Sequence, residues 1–253
     1  SILISYQHGG LYGQEKYFIP EKSERMISDH FISWGWKEKK AFPLPMKISK
    51  LPVKKNNNNK YCLFVTWSQN YGYFSYGNNP ELTPELSMNP TLGLLKYVSK
   101  KIPTILRPQP IPGRDDHVWR DKEFYGKIKK IKIDNHEKNF EFMAANAKFV
   151  IMNYFNTTAL ETLSMNIPTL VFCDKNLINF NSKASKFLLK LIKAKIFFYN
   201  HKELYNFLKM NNFDLNTWWN DKKTQDIRKT FCKNYCLRKE NWDDEWISKL
   251  SLM

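Results

Sequence analysis

The chain has 253 residues, 42% hydrophobic and 15% aromatic: enough for one large domain or two small ones, and too apolar to stay disordered. No apolar run approaches the ~20 residues of a membrane-spanning helix. Lys and Arg number 40 against 24 Asp and Glu, a formal charge of +16, so the surface attracts nucleic acid, anionic lipid or phosphorylated small molecules.

Short β-branched or aromatic runs bounded by breakers predict strands over 2–7, 30–34, 61–66, 103–107, 129–133, 148–153, 168–172 and 195–199. Helical periodicity falls over 91–100, 139–146, 158–165, 182–194, 203–209 and 222–250, the last with a break near Asn241. From 61 to 209 strand and helix alternate, the pattern of βαβ units around a parallel sheet. Residues 37–60 hold Pro43, Pro45, Pro52 and the run Asn56-Asn57-Asn58-Asn59, and read as a linker. The expected organisation is an end piece at 1–36, that linker, an α/β domain at 61–220, and a C-terminal helix at 221–253. The helix should pack back on the first unit, because Trp242 and Trp246 lie one turn apart and need burial.

Cys62 and Cys173 sit in apolar runs, and Cys232 and Cys236 lack further metal ligands at matching spacing. No disulfide scaffold is indicated, so a reducing cytoplasm is the expected compartment.

Three motifs stand out, two of which carry chemistry. Gln7-His8-Gly9-Gly10-Leu11-Tyr12-Gly13 ends the first predicted strand. Gly9, Gly10 and Gly13 let the backbone approach a ligand closely, and His8 can act as general base. Glu15, Glu21 and Glu24 follow, and Glu15 joins His8 as the candidate catalytic pair. Ser28-Asp29-His30-Phe31-Ile32-Ser33-Trp34-Gly35-Trp36 reads as core packing at a domain junction. Asn153-Tyr154-Phe155-Asn156-Thr157-Thr158-Ala159-Leu160-Glu161 runs from a buried strand into a polar cap and a helix. Free N–H groups and the helix dipole favour an anion there, and Glu161 can reach a ribose diol or close a capping box. Ordinary capping explains the same residues.

The order of these motifs, with Arg107-Pro108 after a strand and Asn166-Ile167-Pro168-Thr169 before the next, resembles a transferase family of O-antigen and other surface-polysaccharide gene clusters. More distantly it is similar to capsule Kdo transferases and polyglycerol-phosphate transferases. The resemblance implies a GT-B fold of two facing Rossmann-like domains. This chain would be the C-terminal half of a longer protein, holding the nucleotide-sugar domain and the end piece of an acceptor-side domain. It implies sugar transfer from a nucleotide-activated donor to a glycan or lipid-linked glycan. Asn156, Thr157, Thr158 and Arg107 would hold phosphate, Glu161 the ribose, and His8 would face them across the cleft, with no cofactor or metal. The stretch 109–119, with Asp115 and Asp116, departs from the family pattern and carries no weight. A non-catalytic nucleotide- or lipid-binding module and a phosphotransferase of the polyglycerol-phosphate type remain alternatives.

Lys183, Lys186, Lys190 and Lys193 form a basic stripe on the helix over 182–194. It suits peripheral contact with an anionic membrane, and equally the solvated face of a core-packed helix. The aromatics are not interleaved with Lys and Arg on one patch and no nucleic-acid motif appears, so nucleic acid is not an expected partner.

Overall fold

The computed structural model of the protein describes residues 1–47, 61–67, 84–108, 125 and 128–252. Its strands form two separate parallel sheets. The first has β1 (Ile4–Tyr6), β2 (His30–Ser33) and β3 (Ala41–Pro43) in that order. The helix α1 (Ile19–Ile27), with Pro20 in its first turn, connects β1 to β2. β3 corrects the linker expected over 37–60: Ala41, Leu44 and Met46 are buried, so the first unit continues through Met46. Pro43 is compatible with this strand because β3 lies at the sheet edge, where a missing N–H leaves no partner unsatisfied. Pro52 and the Asn run, like Asp115 and Asp116, lie outside the described residues.

The second unit runs β4 (Cys62–Thr66), α2 (Asn89–Lys101), β5 (Thr104–Pro108), β6 (Ile131–Ile133), α3 (Phe140–Ala145), β7 (Phe149–Met152) and α4 (Thr157–Ser164). It continues through β8 (Thr169–Phe172), α5 (Ser182–Lys193), β9 (Phe197–Phe198) and α6 (His201–Met210). The sheet order is β6-β5-β4-β7-β8-β9, parallel throughout. Every residue of β4, β7 and β8 is buried, which is why their sequences are apolar runs without alternation. Phe64, Leu106, Phe149 and Ile151 face α2 and α6. Leu63, Val65, Val150 and Met152 face the opposite layer, whose core includes Leu160, Leu188 and Phe231 and takes in Tyr12, Phe31, Trp34 and Trp36 of the first unit. The two units thus share one core. Strand order reverses between β4 and β7, and in open α/β sheets ligands bind beyond the carboxyl ends at this switch point.

The helix expected over 222–250 is two, α8 (Lys222–Tyr235) and α9 (Trp242–Leu250), preceded by the short α7 (Asn216–Asn220). They cross back to the first unit. Leu237 N–H donates to Trp34 O at 3.0 Å, and Met46 N–H donates to Leu237 O at 2.8 Å. Gly35, at φ 118°, passes so close that a Cβ would stand 2.5 Å from Lys233 O, so this crossing requires glycine. Trp246 donates its indole N–H to Pro45 O at 2.8 Å and meets the Tyr6 ring edge-on at 5.9 Å. Among the described residues no helix is long and apolar enough to cross a membrane.

Candidate functional site

The turn after β1 is fixed from below by Gln7, which is fully buried. Its Oε1 accepts from Trp34 N–H and the Trp36 indole N–H, each at 2.9 Å, while its Nε2 donates to Gly9 O at 2.9 Å. A buried amide satisfied in this way holds both the turn and the Trp34–Trp36 segment in one geometry. Gly13, at φ 70°, lies flat against the Trp36 ring; a Cβ there would be 2.7 Å from the indole. Its N–H donates to Glu21 at 2.6 Å, and Glu21 in turn pairs with Arg25 at 2.8 Å.

From this base the turn reaches α4. Gly10 N–H donates to Thr157 Oγ1 at 2.9 Å across 147 residues. A Cβ on Gly10 would fall 2.3 Å from Thr157 N, so the backbone of the turn lies directly on the helix start. The neighbouring loop completes the dock: Asn181 donates from Nδ2 to Gly13 O at 2.9 Å while its Oδ1 caps α5 at Ala184 N–H, and Lys16 N–H donates to Asn179 O at 2.8 Å.

Asn156, Thr157 and Thr158 are half-buried. Thr158 Oγ1 donates to Asn156 Oδ1 at 2.6 Å, so that hydroxyl proton is committed. Thr157 Oγ1 accepts from Gly10 and keeps its own proton free to donate. Ala159 and Leu160 N–H bond back to Asn156 O, whereas the N–H groups of Thr157 and Thr158 have no acceptor among the described residues. The helix start therefore presents donors and a positive dipole end. One turn in, burial with nearby Glu141 raises Glu161 to about 7. Burial does the same to Glu15, also to about 7, beside its backbone bridge to Phe180. Each carboxyl is poised to take or lose a proton near neutrality.

His8 sits two residues before Gly10, a span of at most about 7 Å between Cα atoms, so its backbone lies near the Gly10–Thr157 contact. More than half of its side chain is exposed, and its Nε2 contacts Tyr12 Oη at 2.6 Å and Glu24 Oε1 at 3.0 Å. Tyr12 donates to both oxygens of Glu24 at 3.0 and 3.1 Å.

Arg107 is a different matter. The resemblance placed it on a phosphate, but its guanidinium is buried, ion-paired with Asp134 and hydrogen-bonded to Lys138 O at 3.1 Å. Both of these partners lie past the end of β6. A hollow of about 340 Å³ between β6 and α3 lies beside it, lined by Asp134, Lys138 and Phe142 among others.

Sequence reasoning missed how the switch point is held together. Buried Asn153, just past β7, accepts from Trp67 N–H at 2.8 Å and donates to Trp67 O at 3.3 Å. The Trp67 ring stacks on Tyr154 with centroids 4.5 Å apart. This pair locks the ends of β4 and β7 together. An aromatic and an Asn immediately after two buried strands were the available signals.

A comparison with curated protein sequences finds no match. Among solved structures the chain is similar to the wall teichoic acid polymerase TagF, at 12% identity and a TM-score of 0.53 over 98% of this chain. A variant of the same polymerase soaked with CDPG matches at 12% identity and a TM-score of 0.52, again over 98% of this chain and 66% of that one. MurG of Acinetobacter baumannii follows at 9% identity and a TM-score of 0.49, over 99% of this chain and 67% of that one. The chain spans 66% of the length of the polymerase it matches. The likeness to the polymerase is one of fold, the GT-B arrangement of Rossmann-like units. The model of the LIC12162 family of transferases matches residues 1–250, the whole of the two units and the returning tail, and the chain belongs to that family.

Proposed function

We propose that the protein transfers a sugar from a nucleotide-activated donor to a glycan or lipid-linked glycan, in synthesis of a cell-surface polymer of the O-antigen or capsule class. The observation that carries this reading is the contact of Gly10 with Thr157, which sets a His-bearing turn against a helix start whose first N–H groups have no acceptor among the described residues. In this reading the diphosphate lies against the Thr157 and Thr158 N–H groups and the Thr157 hydroxyl. Glu161 accepts from the ribose diol. His8 takes the proton of the acceptor hydroxyl as that oxygen attacks the donor carbon. Helix-start donors supply the charge stabilisation that the leaving phosphate needs. The four lysines of the α5 stripe are exposed; we assign them to the anionic inner face of the cytoplasmic membrane, where a lipid-linked acceptor would sit.

The test is calorimetric titration of nucleoside diphosphates, with CDP-glycerol alongside because of the CDPG-soaked polymerase, into the wild type and a Thr157→Val/Thr158→Val variant. Loss of hydrogen bonds to a charged group should weaken binding by roughly 1–3 kcal/mol, about 5- to 150-fold. Equal affinity removes the phosphate assignment. His8→Ala should leave affinity in place and cut turnover on the order of 10²–10⁴-fold; binding with no turnover in the wild type would favour a non-catalytic module.

A further inference from the structure

We propose that His8 acts through Nδ1, and that Tyr12 and Glu24 are positioning residues that keep the ring proton on Nε2; this rests on the reading of His8 as the general base. The number of protons available to three polar atoms fixes the tautomer. Three polar atoms meet in a triangle: His8 Nε2, Tyr12 Oη and a Glu24 carboxylate oxygen, with separations of 2.6, 3.0 and 3.0 Å. The carboxylate can only accept. If Nε2 carried no proton, the Tyr12 hydroxyl would be the sole donor for all three contacts. Donating it to Nε2 would leave bare oxygens of Glu24 facing both Tyr12 Oη and the ring nitrogen. Placing a proton on Nε2 resolves the conflict: Tyr12 donates to Glu24, and Nε2–H donates to Tyr12 Oη and Glu24 Oε1.

The triangle is rigid. Tyr12 is 1% exposed, stacks on Phe31 at 5.8 Å and meets Phe18 edge-on at 4.9 Å. Burial and the Glu24 carboxylate hold its phenol well above the ordinary range, so it stays protonated. All three residues belong to the first unit, so the tautomer is set before any donor binds.

Nδ1 then carries the free lone pair on an exposed ring. In the transfer step the acceptor hydroxyl gives its proton to Nδ1 and its oxygen forms the bond to the donor carbon. The bond from that carbon to the nucleotide phosphate breaks, with the electron pair leaving on the phosphate. The resulting imidazolium has Glu24 at 3.0 Å as its counter-charge. An aspartate behind a catalytic histidine fixes the tautomer in the same way.

The experiment is ¹⁵N NMR of the full chain labelled at histidine. The sequence has five histidines, and His8 is assigned by its loss in His8→Gln. At a pH where the ring is neutral, His8 should show an N–H nitrogen at Nε2 and a bare one at Nδ1. Glu24→Gln presents an amide N–H to Nε2 and should move the proton to Nδ1. With the donor that titration identifies, Glu24→Gln should lower kcat on the order of 10²-fold with KM within about threefold. Tyr12→Phe keeps the ring packing and should lower kcat about tenfold. A wild-type ring protonated on Nδ1 overturns the proposal, as does a Glu24→Gln protein that folds, keeps its tautomer or keeps its kcat. If instead His8→Ala has full turnover, the base assignment itself fails, and the NMR result stands independently of it.

Discussion

Replacing Gly10 by Ala puts a methyl carbon 2.3 Å from Thr157 N and 2.4 Å from the Asn156 carbonyl carbon. Both are backbone atoms, and no rotamer can relieve the clash, so the turn and the helix start must part. Overpacking of this kind costs ~1–3 kcal/mol. Parting also breaks the 2.9 Å bond from Gly10 N–H to Thr157 Oγ1, worth about 1 kcal/mol. In a chain of 253 residues each kcal/mol moves Tm by about 2–4 °C. Gly10→Ala is therefore expected to lower Tm by about 4–15 °C in a calorimetric scan, and to weaken nucleotide binding because the cleft wall moves. Gly93 supplies the control. It lies in α2 with nothing within 4 Å of an added Cβ, so Gly93→Ala gains helix propensity and should raise Tm by about 2–4 °C. If Gly10→Ala melts within a degree of the wild type while Gly93→Ala behaves as stated, the turn does not dock on α4 as described.

Other expectations follow from the same contacts. Asp134→Ala leaves the buried Arg107 charge unpaired and should cost about 3–5 kcal/mol by urea denaturation, whereas the apolar pair Arg107→Met/Asp134→Leu should recover most of it; equal loss in both would deny the ion pair its structural role. Glu161 has its carboxyl raised from 4.5 to about 7 by burial, so its cost to stability grows as pH rises between those values and is constant above them. Glu161→Gln should then be more stable than the wild type by ~2 kcal/mol at pH 8 and no different at pH 4; an advantage that appears on acidification would reverse the sign. Trp246→Ala removes the bond to Pro45 O and the contact with Tyr6, and should cost about 1–3 kcal/mol for a half-buried indole and raise hydrogen exchange at Met46 N–H.

The parallel domain was legible because strands buried on both faces read as apolar runs, as in Phe149-Val150-Ile151-Met152. The returning tail was legible in the one-turn spacing of Trp242 and Trp246, since a polar-flanked indole pair has to find cover. β3 was hidden by its proline, which reads as linker until an edge position excuses it. The pairing of Arg107 was hidden for a simpler reason: Asp134 is 27 residues away, and no local spacing announces a pairing across two strands. The site divides the same way. His8, the glycines and the Thr157–Thr158 cap stood out as motifs, because each needs a special backbone. The meeting of Gly10 with Thr157 across 147 residues, and the partnership of His8 with Tyr12 and Glu24 rather than with Glu15, are products of tertiary packing.

The central claim is that a nucleotide diphosphate lies where the His8–Gly10 turn meets the start of α4. A crystal structure of the chain with a nucleoside diphosphate bound tests it most directly. The diphosphate should sit within hydrogen-bond reach of the Thr157 and Thr158 N–H groups and the Thr157 hydroxyl, with the ribose at Glu161 and the His8 ring across the cleft. A nucleotide found instead in the hollow between β6 and α3, with the turn and the helix start untouched, would contradict it.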